Sequence, residues 1–327
     1  RRTLAGADVL TLKTSIKDVV PLRGALAAGD VFNPPGNSAV ADLTAGLLDK
    51  GTVTRDKFAI AALLEQAGAT LGFGTDSHVA NISGKFLRKD LALVLALLGE
   101  QLRAPRFDAE ELAKLKKQFA GQRRRALEET DYRAEEAFAR AVFPEGHPNR
   151  PPTTEKYLAD LETATLEQVK AFHAANYGPA SLRLVLVGDV DDAAIDAALR
   201  DAFSGWKGGH GFEAAKPAPA LAASRTETVP MPGKTSVSLF IGQPSGLRYT
   251  DADRLALNMA TSVLGSGFFT ARLLDIIRNK EGLTYGIGAQ LTGDTYTDGA
   301  WAIRGTFASD LLDKGLASTR RELARFA

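Results

Sequence analysis

The chain has 327 residues, a length that suits two domains, with 45% hydrophobic and 24% charged residues, ordinary values for a protein with a sizeable core. A net charge of +1 excludes the overall basic field of a nucleic-acid or anionic-membrane binder. The absence of cysteine removes disulfides, thiolate nucleophiles and cysteine-based zinc sites, and no apolar run is long enough to span a bilayer.

In chain order, Val9–Lys13 and Pro21–Ala28 read as strands. Asn33-Pro34-Pro35-Gly36 is a rigid turn, after which Asn37 or Ser38 caps a helix from Ala39 to about Asp49. Phe58–Ala67 is a second helix, and Leu71–Thr75 and Val79–Leu87 form a strand pair, the latter with period-2 alternation. Leu91–Leu102 is an apolar helix ended by Pro105, and Asp108 opens a long charged helix to about Arg125. Arg133–Val142 continues as helix, Phe143–Pro148 is a loop, and Thr165 caps a helix through Ala174. Leu182–Val187 is a near-continuous apolar strand, and Asp189–Phe203 a turn and helix.

Glycine and proline then accumulate among alanine and serine. We read residues 1–205 as a first domain, 206–226 as a linker and 227–327 as a second domain. A strand at Ser236–Gly242 and a helix at Asp253–Leu264 lead into Leu264–Gly286, the most informative stretch of the chain. Gly265-Ser266-Gly267 turns the chain, and Thr270 caps a short helix with an apolar face of Leu273, Leu274, Ile276 and Ile277. Gly282 ends that helix, which places Arg278 and Tyr285 on either side of one turn.

The two parts repeat each other. Leu71-Gly72-Phe73-Gly74, a hairpin, Ile82–Phe86 and Asp90-Leu91 parallel Tyr285-Gly286-Ile287-Gly288, a hairpin, Ile303–Phe307 and Asp310-Leu311. The first unit continues well beyond its matching helix whereas the second stops there, so the expectation is a second domain incomplete at its C-terminus.

With these pieces in their order, the chain resembles the pitrilysin/insulinase superfamily of zinc peptidases, the processing-peptidase type. The resemblance rests on Gly29-Asp30 with its Pro-Gly turn, Ala41–Leu48 with Lys50-Gly51-Thr52, Pro144–Pro148, Phe172–Tyr177, Leu182–Asp189, Phe203–Trp206 and Leu264–Gly286. It implies an α+β fold of two homologous domains, each a mainly antiparallel sheet with helices packed on one face.

The family's catalytic signature is H-x-x-E-H, two histidines holding zinc and a glutamate activating water. Counted back from Lys50-Gly51-Thr52, those positions hold Asp42, Ala45 and Gly46. The third ligand, a later glutamate, is missing too: no acid lies between Glu111 and Glu128, where Arg123, Arg124 and Arg125 stand instead. The histidines, His78, His147, His173 and His210, have no metal-binding spacing.

The resemblance is therefore to the non-catalytic half or subunit, with no metal in this chain and zinc in a catalytic partner half. In such relatives two halves enclose a chamber, and the zinc-free half presents an arginine and a tyrosine to the substrate. Arg278 and Tyr285 match that pair, with Gly282 as the supporting turn. The expected partners are the zinc-bearing half and peptide substrates, with no nucleic acid and no membrane span. The alternatives are a purely structural core subunit of a larger complex and a stand-alone peptide-binding module. The chain reads as soluble, with periplasm and cytoplasm both open.

Blander readings stand beside these. Arg278 suits a helix C-terminus through the dipole. Tyr285 shares a period-2 face with Ile287, Ala289 and Leu291, so it could be a core tyrosine. The glycine-rich turn lacks the lysine of a phosphate loop, and His147 reads as a turn residue. The basic run through Arg125 is a solvated helix face or, if it lines the chamber, a preference for acidic peptides.

Overall fold

The computed structural model describes residues 1–212, 216–267 and 270–326. Part of the expected linker, and Phe268-Phe269 of the glycine-rich stretch, therefore lie outside the described residues. The described residues of Arg1–Gly121 and Thr154–Glu213 form one compact unit, and those of Gln122–Thr153 and Ala214–Ala327 form another.

The first unit holds a six-stranded sheet built from β1 (Arg2–Leu4), β2 (Ala7–Lys13), β3 (Val19–Leu26), β4 (Thr70–Thr75), β5 (Ala80–Leu87) and β6 (Leu182–Gly188), in the order β1-β2-β6-β3-β5-β4. All neighbours are antiparallel except β2 and β6, so the sheet is mixed. Along β5, Ala80, Ile82, Gly84 and Phe86 are buried while the intervening residues are exposed, which puts helices on one face. The core beneath is apolar side chains of the strands with those of α3 (Leu91–Arg103), α7 (Leu166–Asn176) and α8 (Asp192–Ala202).

A second cluster joins α1 (Val40–Leu47), α4 (Ala109–Ala126) and α6 (Thr154–Thr163) through Leu43, Leu47, Leu112, Leu115, Tyr157 and Leu161. Helix α2 (Lys57–Gln66) begins at Asp56, whose side chain accepts the Ala59 N–H. Thr165 caps α7 in a full capping box with Gln168. At α1, of the two expected caps, Asn37 takes the role: its side chain accepts the Ala39 N–H and Asn33 accepts the Ala41 N–H, while Ser38 bonds Asp160 instead. Helix α6, in the stretch between the Phe143–Pro148 loop and Thr165, is an element the sequence reading does not include. Its buried Tyr157 and Leu161, one turn apart, supply the face that tertiary packing rewards.

The second unit repeats part of this plan. Strands β7 (Ser236–Pro244), β8 (Thr284–Thr292) and β9 (Ala300–Ala308) pair antiparallel in the order β7-β9-β8, the topology of β3-β5-β4. Each set ends in a short 3₁₀ turn, Arg88–Asp90 or Ser309–Leu311, followed by a helix, α3 or α10 (Leu312–Phe326). One sheet face carries Ile287, Ile303 and Phe307 against Leu264, Leu273 and Ile277. Helix α5 (Thr130–Val142), which the sequence reading places with the first domain, belongs to this unit: Phe138 stacks on Phe240, and Thr130 bonds Ser238. Helix α9 (Ala252–Thr261) runs into a π-helical segment, Ser262–Ser266. A second helical stretch begins at Arg272, one residue later than a Thr270 cap predicts, and is π-helical over Leu274–Lys280.

Candidate functional site

Arg278 lies near the end of the second π-helical segment, half-buried, and Tyr285 is the second residue of β8, after a single turn. That turn needs glycine. Gly282 has φ +65°, its N–H bonds the Arg278 carbonyl, and the Leu283 N–H reaches back to Ile277. This left-handed closure is the usual way to satisfy the last carbonyls of a helix.

Immediately after it the sheet is irregular. Thr284 pairs with Phe307 and Gly286 with Thr306, so Tyr285 is the extra residue of a β-bulge. The Thr284 hydroxyl replaces the lost ladder contact: it donates to the Thr306 carbonyl, with the Gly286 carbonyl also within reach at 3.0 Å, and accepts the Gly286 N–H. Ile287 and Ala289 remain buried, whereas Tyr285 is 86% exposed. The core-tyrosine reading thus fails, because the bulge breaks the alternation on which it rests. The Arg278 guanidinium lies 4.8 Å from the centroid of the Tyr285 ring. Such a contact contributes about 0.5–1 kcal/mol at an exposed site and sets the cation beside the phenol. Tyr285 and Gly282 line a groove of about 960 Å³ together with Asp131, Thr235, Arg304 and Thr306.

The glycine-rich turn is structural: the Ser266 hydroxyl donates to the Ala289 carbonyl at 2.7 Å, fastening the turn to β8, with the Thr261 carbonyl at 3.2 Å.

The helical stretch carrying Arg278 is held by α10. Glu322, 0% exposed, accepts from Arg272 Nε at 3.0 Å, Arg321 Nε at 3.0 Å and Arg325 at 3.3 Å. Burial opposes its ionisation, but the bonds from Arg321 and Arg272 outweigh that and hold its carboxyl below the usual range. Glu281, at the other end of the stretch, accepts from the Ser318 hydroxyl at 2.6 Å and from Arg321.

In the first unit, the positions matching the zinc signature are filled. Asp42 accepts from the Tyr157 hydroxyl at 2.6 Å and from Thr75. Ala45 is buried. A Cβ on Gly46 would meet Leu115 Cδ2 at 2.8 Å and Phe119 Cζ at 3.2 Å. These residues do not fit zinc: the ligand space is apolar, and the one carboxylate already has hydroxyl partners. Among the described residues, no three His, Cys, Asp or Glu side chains converge to hold a metal ion.

His147 is more than a turn residue. It is buried, stacks on Phe143 at 4.5 Å, and sits 3.1 Å from Asp298 Oδ1 through Nε2. Nδ1 accepts the Asn149 N–H, so Nε2 carries the proton. Asp298 also accepts from Thr297 and the Ala218 N–H. A nucleophilic triad needs the hydroxyl and carboxylate on opposite ring nitrogens. Here both lie at Nε2, and the arrangement is a buried tie. Asp298, Thr284 and Glu322 were missed in the sequence. Only the spacing of Ser318, Arg321, Glu322 and Arg325 along one helix face gave any signal.

Fold and site together define an α+β chain of two related units without a metal-ligand set among its described residues. Comparison with known proteins makes this specific. The model of the "Peptidase M16 inactive domain" matches residues 163–327, and that of "Insulinase (Peptidase family M16)" matches residues 9–151. The chain belongs to peptidase family M16, the insulinase family. It is 23% identical over 323 residues to an uncharacterized zinc protease of Rickettsia bellii, covering 98% of this chain and 76% of the relative. It is 24% identical over 266 residues to the non-peptidase homolog YmxG of Helicobacter pylori, covering 80% of this chain and 60% of that one. The fold matches the crystal structure of a peptidase M16 inactive domain from Pseudomonas fluorescens with a TM-score of 0.90 at 24% identity, covering 99% and 78% of the two chains. No described helix is long and apolar enough to cross a membrane.

Proposed function

We propose that this chain is the substrate-binding, non-catalytic half of a zinc metalloendopeptidase. It encloses a chamber with a zinc-bearing half of the same family and presents Arg278 and Tyr285 to the peptide. The bulge at Tyr285 carries this reading. A tyrosine kept for packing would be buried, whereas this one is 86% exposed, lines a groove and has a guanidinium beside its ring.

Peptide hydrolysis passes through a tetrahedral oxyanion, and preorganised donors lower its energy most in a water-poor site. A charged guanidinium and a phenol O–H are both suitable donors. In this reading Asp42, Ala45 and Gly46 are the remnant of a lost metal site, and the zinc belongs to the partner, a separate subunit or an upstream segment. The common strand topology of the two units supports descent from one repeated domain, with residues 206–226 as the linker.

The test is peptidase activity of this chain mixed with a family chain carrying H-x-x-E-H, with assembly followed by sedimentation. Arg278→Ala lowers turnover by about 10²-fold, the cost of losing one oxyanion donor, while assembly is unchanged. Wild-type turnover in that variant would retire the role given to Arg278. Peptide affinity with no activity in any mixture would indicate a stand-alone binding module, and neither property a structural subunit.

A further inference from the structure

The helical stretch from Arg272 to Glu281 has two functions to reconcile. Its buried face, Leu273 and Ile277, packs into the core, and Arg278 must lie over Tyr285. A π-helical stretch is rare and occurs mostly as a single-turn bulge, frequently at a functional site. The hydrophobic driving force is non-directional and does not by itself choose the rotation of a helix, whereas hydrogen bonds do. Directional bonds are present at both ends of this stretch. Arg272 bonds Glu322, and Glu281 bonds Ser318 and Arg321, with Arg321 bridging Glu281 to Glu322. All the partners come from one face of α10, at positions 318, 321 and 322.

A carboxylate at 0% exposure is a poor way to gain stability, since an apolar pair of similar size would hold two helices together as well or better. Its particular capacity is geometric. Its two oxygens receive donors from both helical elements and fix their relative position. We infer that Glu322 is the positioning residue for the Arg278–Tyr285 pair, locking the stretch that carries Arg278 so that the guanidinium stays over the Tyr285 ring. This rests on the proposed role of that pair, but its test does not.

The whole chain is prepared with 3-fluorotyrosine, and the ¹⁹F resonance of Tyr285 is assigned by its loss in Tyr285→Phe. Arg278→Ala defines the resonance of an unstacked ring. In Glu322→Gln, which removes the charge at nearly constant shape, the Tyr285 resonance moves at least half the way to that position, while the other tyrosine resonances stay. A folded Glu322→Gln protein with a lowered melting temperature and an unmoved Tyr285 resonance would show a merely structural residue and overturn the inference. If Glu322→Gln does not fold, the half-exposed Arg272→Gln and Arg321→Gln give the same reading, a moved resonance in support and an unmoved one against. The resonance is read without peptide, zinc or partner. A moved resonance with unchanged turnover in the catalytic mixture would sink the function of the pair and leave the positioning intact.

Discussion

At the scale of single residues, function and stability separate at Tyr285. The ring is exposed, so Tyr285→Phe changes stability by less than about 0.5 kcal/mol, as surface substitutions do. If the phenol donates to the substrate, the same variant loses about tenfold or more in turnover with the zinc-bearing half, at an unchanged melting temperature. Gly46 shows the opposite case. Leu115 and Phe119 occupy the space a side chain would need there. Rewriting the signature as Asp42→His, Ala45→Glu and Gly46→His therefore does not create a zinc site. Calorimetric titration of the triple variant shows no zinc binding. Overpacking costs it about 1–3 kcal/mol or more in a denaturant melt.

At the scale of elements, the bulge in β8 depends on one hydroxyl. Thr284→Val keeps the shape but leaves the Gly286 N–H and the Thr306 carbonyl without that partner, which costs about 1–2 kcal/mol. With the hydroxyl gone, β8 is free to pair regularly with β9, and a one-residue shift turns side chains to the opposite face. The expected sign is slower iodination of Tyr285 in Thr284→Val than in the parent chain. Unchanged iodination at reduced stability would mean that the turn at Gly282, not the hydroxyl, sets the bulge.

At the scale of the whole molecule, each unit has its own core and its own titrating group. His173 in the first unit packs against Phe107 and Tyr177, and its Nε2 lies 2.9 Å from the Leu102 carbonyl. Burial lowers its pKa more than that hydrogen bond raises it. With the folded pKa below the unfolded value of about 6.5, the unfolded state takes up the proton first. Its contribution to stability is therefore full above about pH 6.5 and lost as pH falls through the folded pKa. His173→Gln removes this part of the acid loss, seen as a flatter stability profile between about pH 6.5 and 5. Hydrogen exchange localises the effect to the first unit. Glu322 in the second unit acts lower: its depressed pKa makes its contribution full above about pH 4.3 and lost as pH falls through the folded value.

Much of this protein was legible from local pattern. The buried alternation of β5, the apolar helix α3, the cap at Thr165 and the left-handed glycine at 282 are set by residues within a few positions of one another. Each was readable because neighbours in sequence are the neighbours that decide it. The family too was readable, from the order of short motifs and from a signature whose every position had changed. Contacts between distant residues were not. That Leu115 and Phe119 fill the space beside Gly46, that α5 packs on β7, and that Glu322 gathers arginines from two elements depend on segments brought together only by folding. The clearest case is Tyr285. Sequence period alone puts it in the core, and a single inserted residue in the ladder against β9, a partner strand its own neighbours cannot specify, turns it outward beneath Arg278.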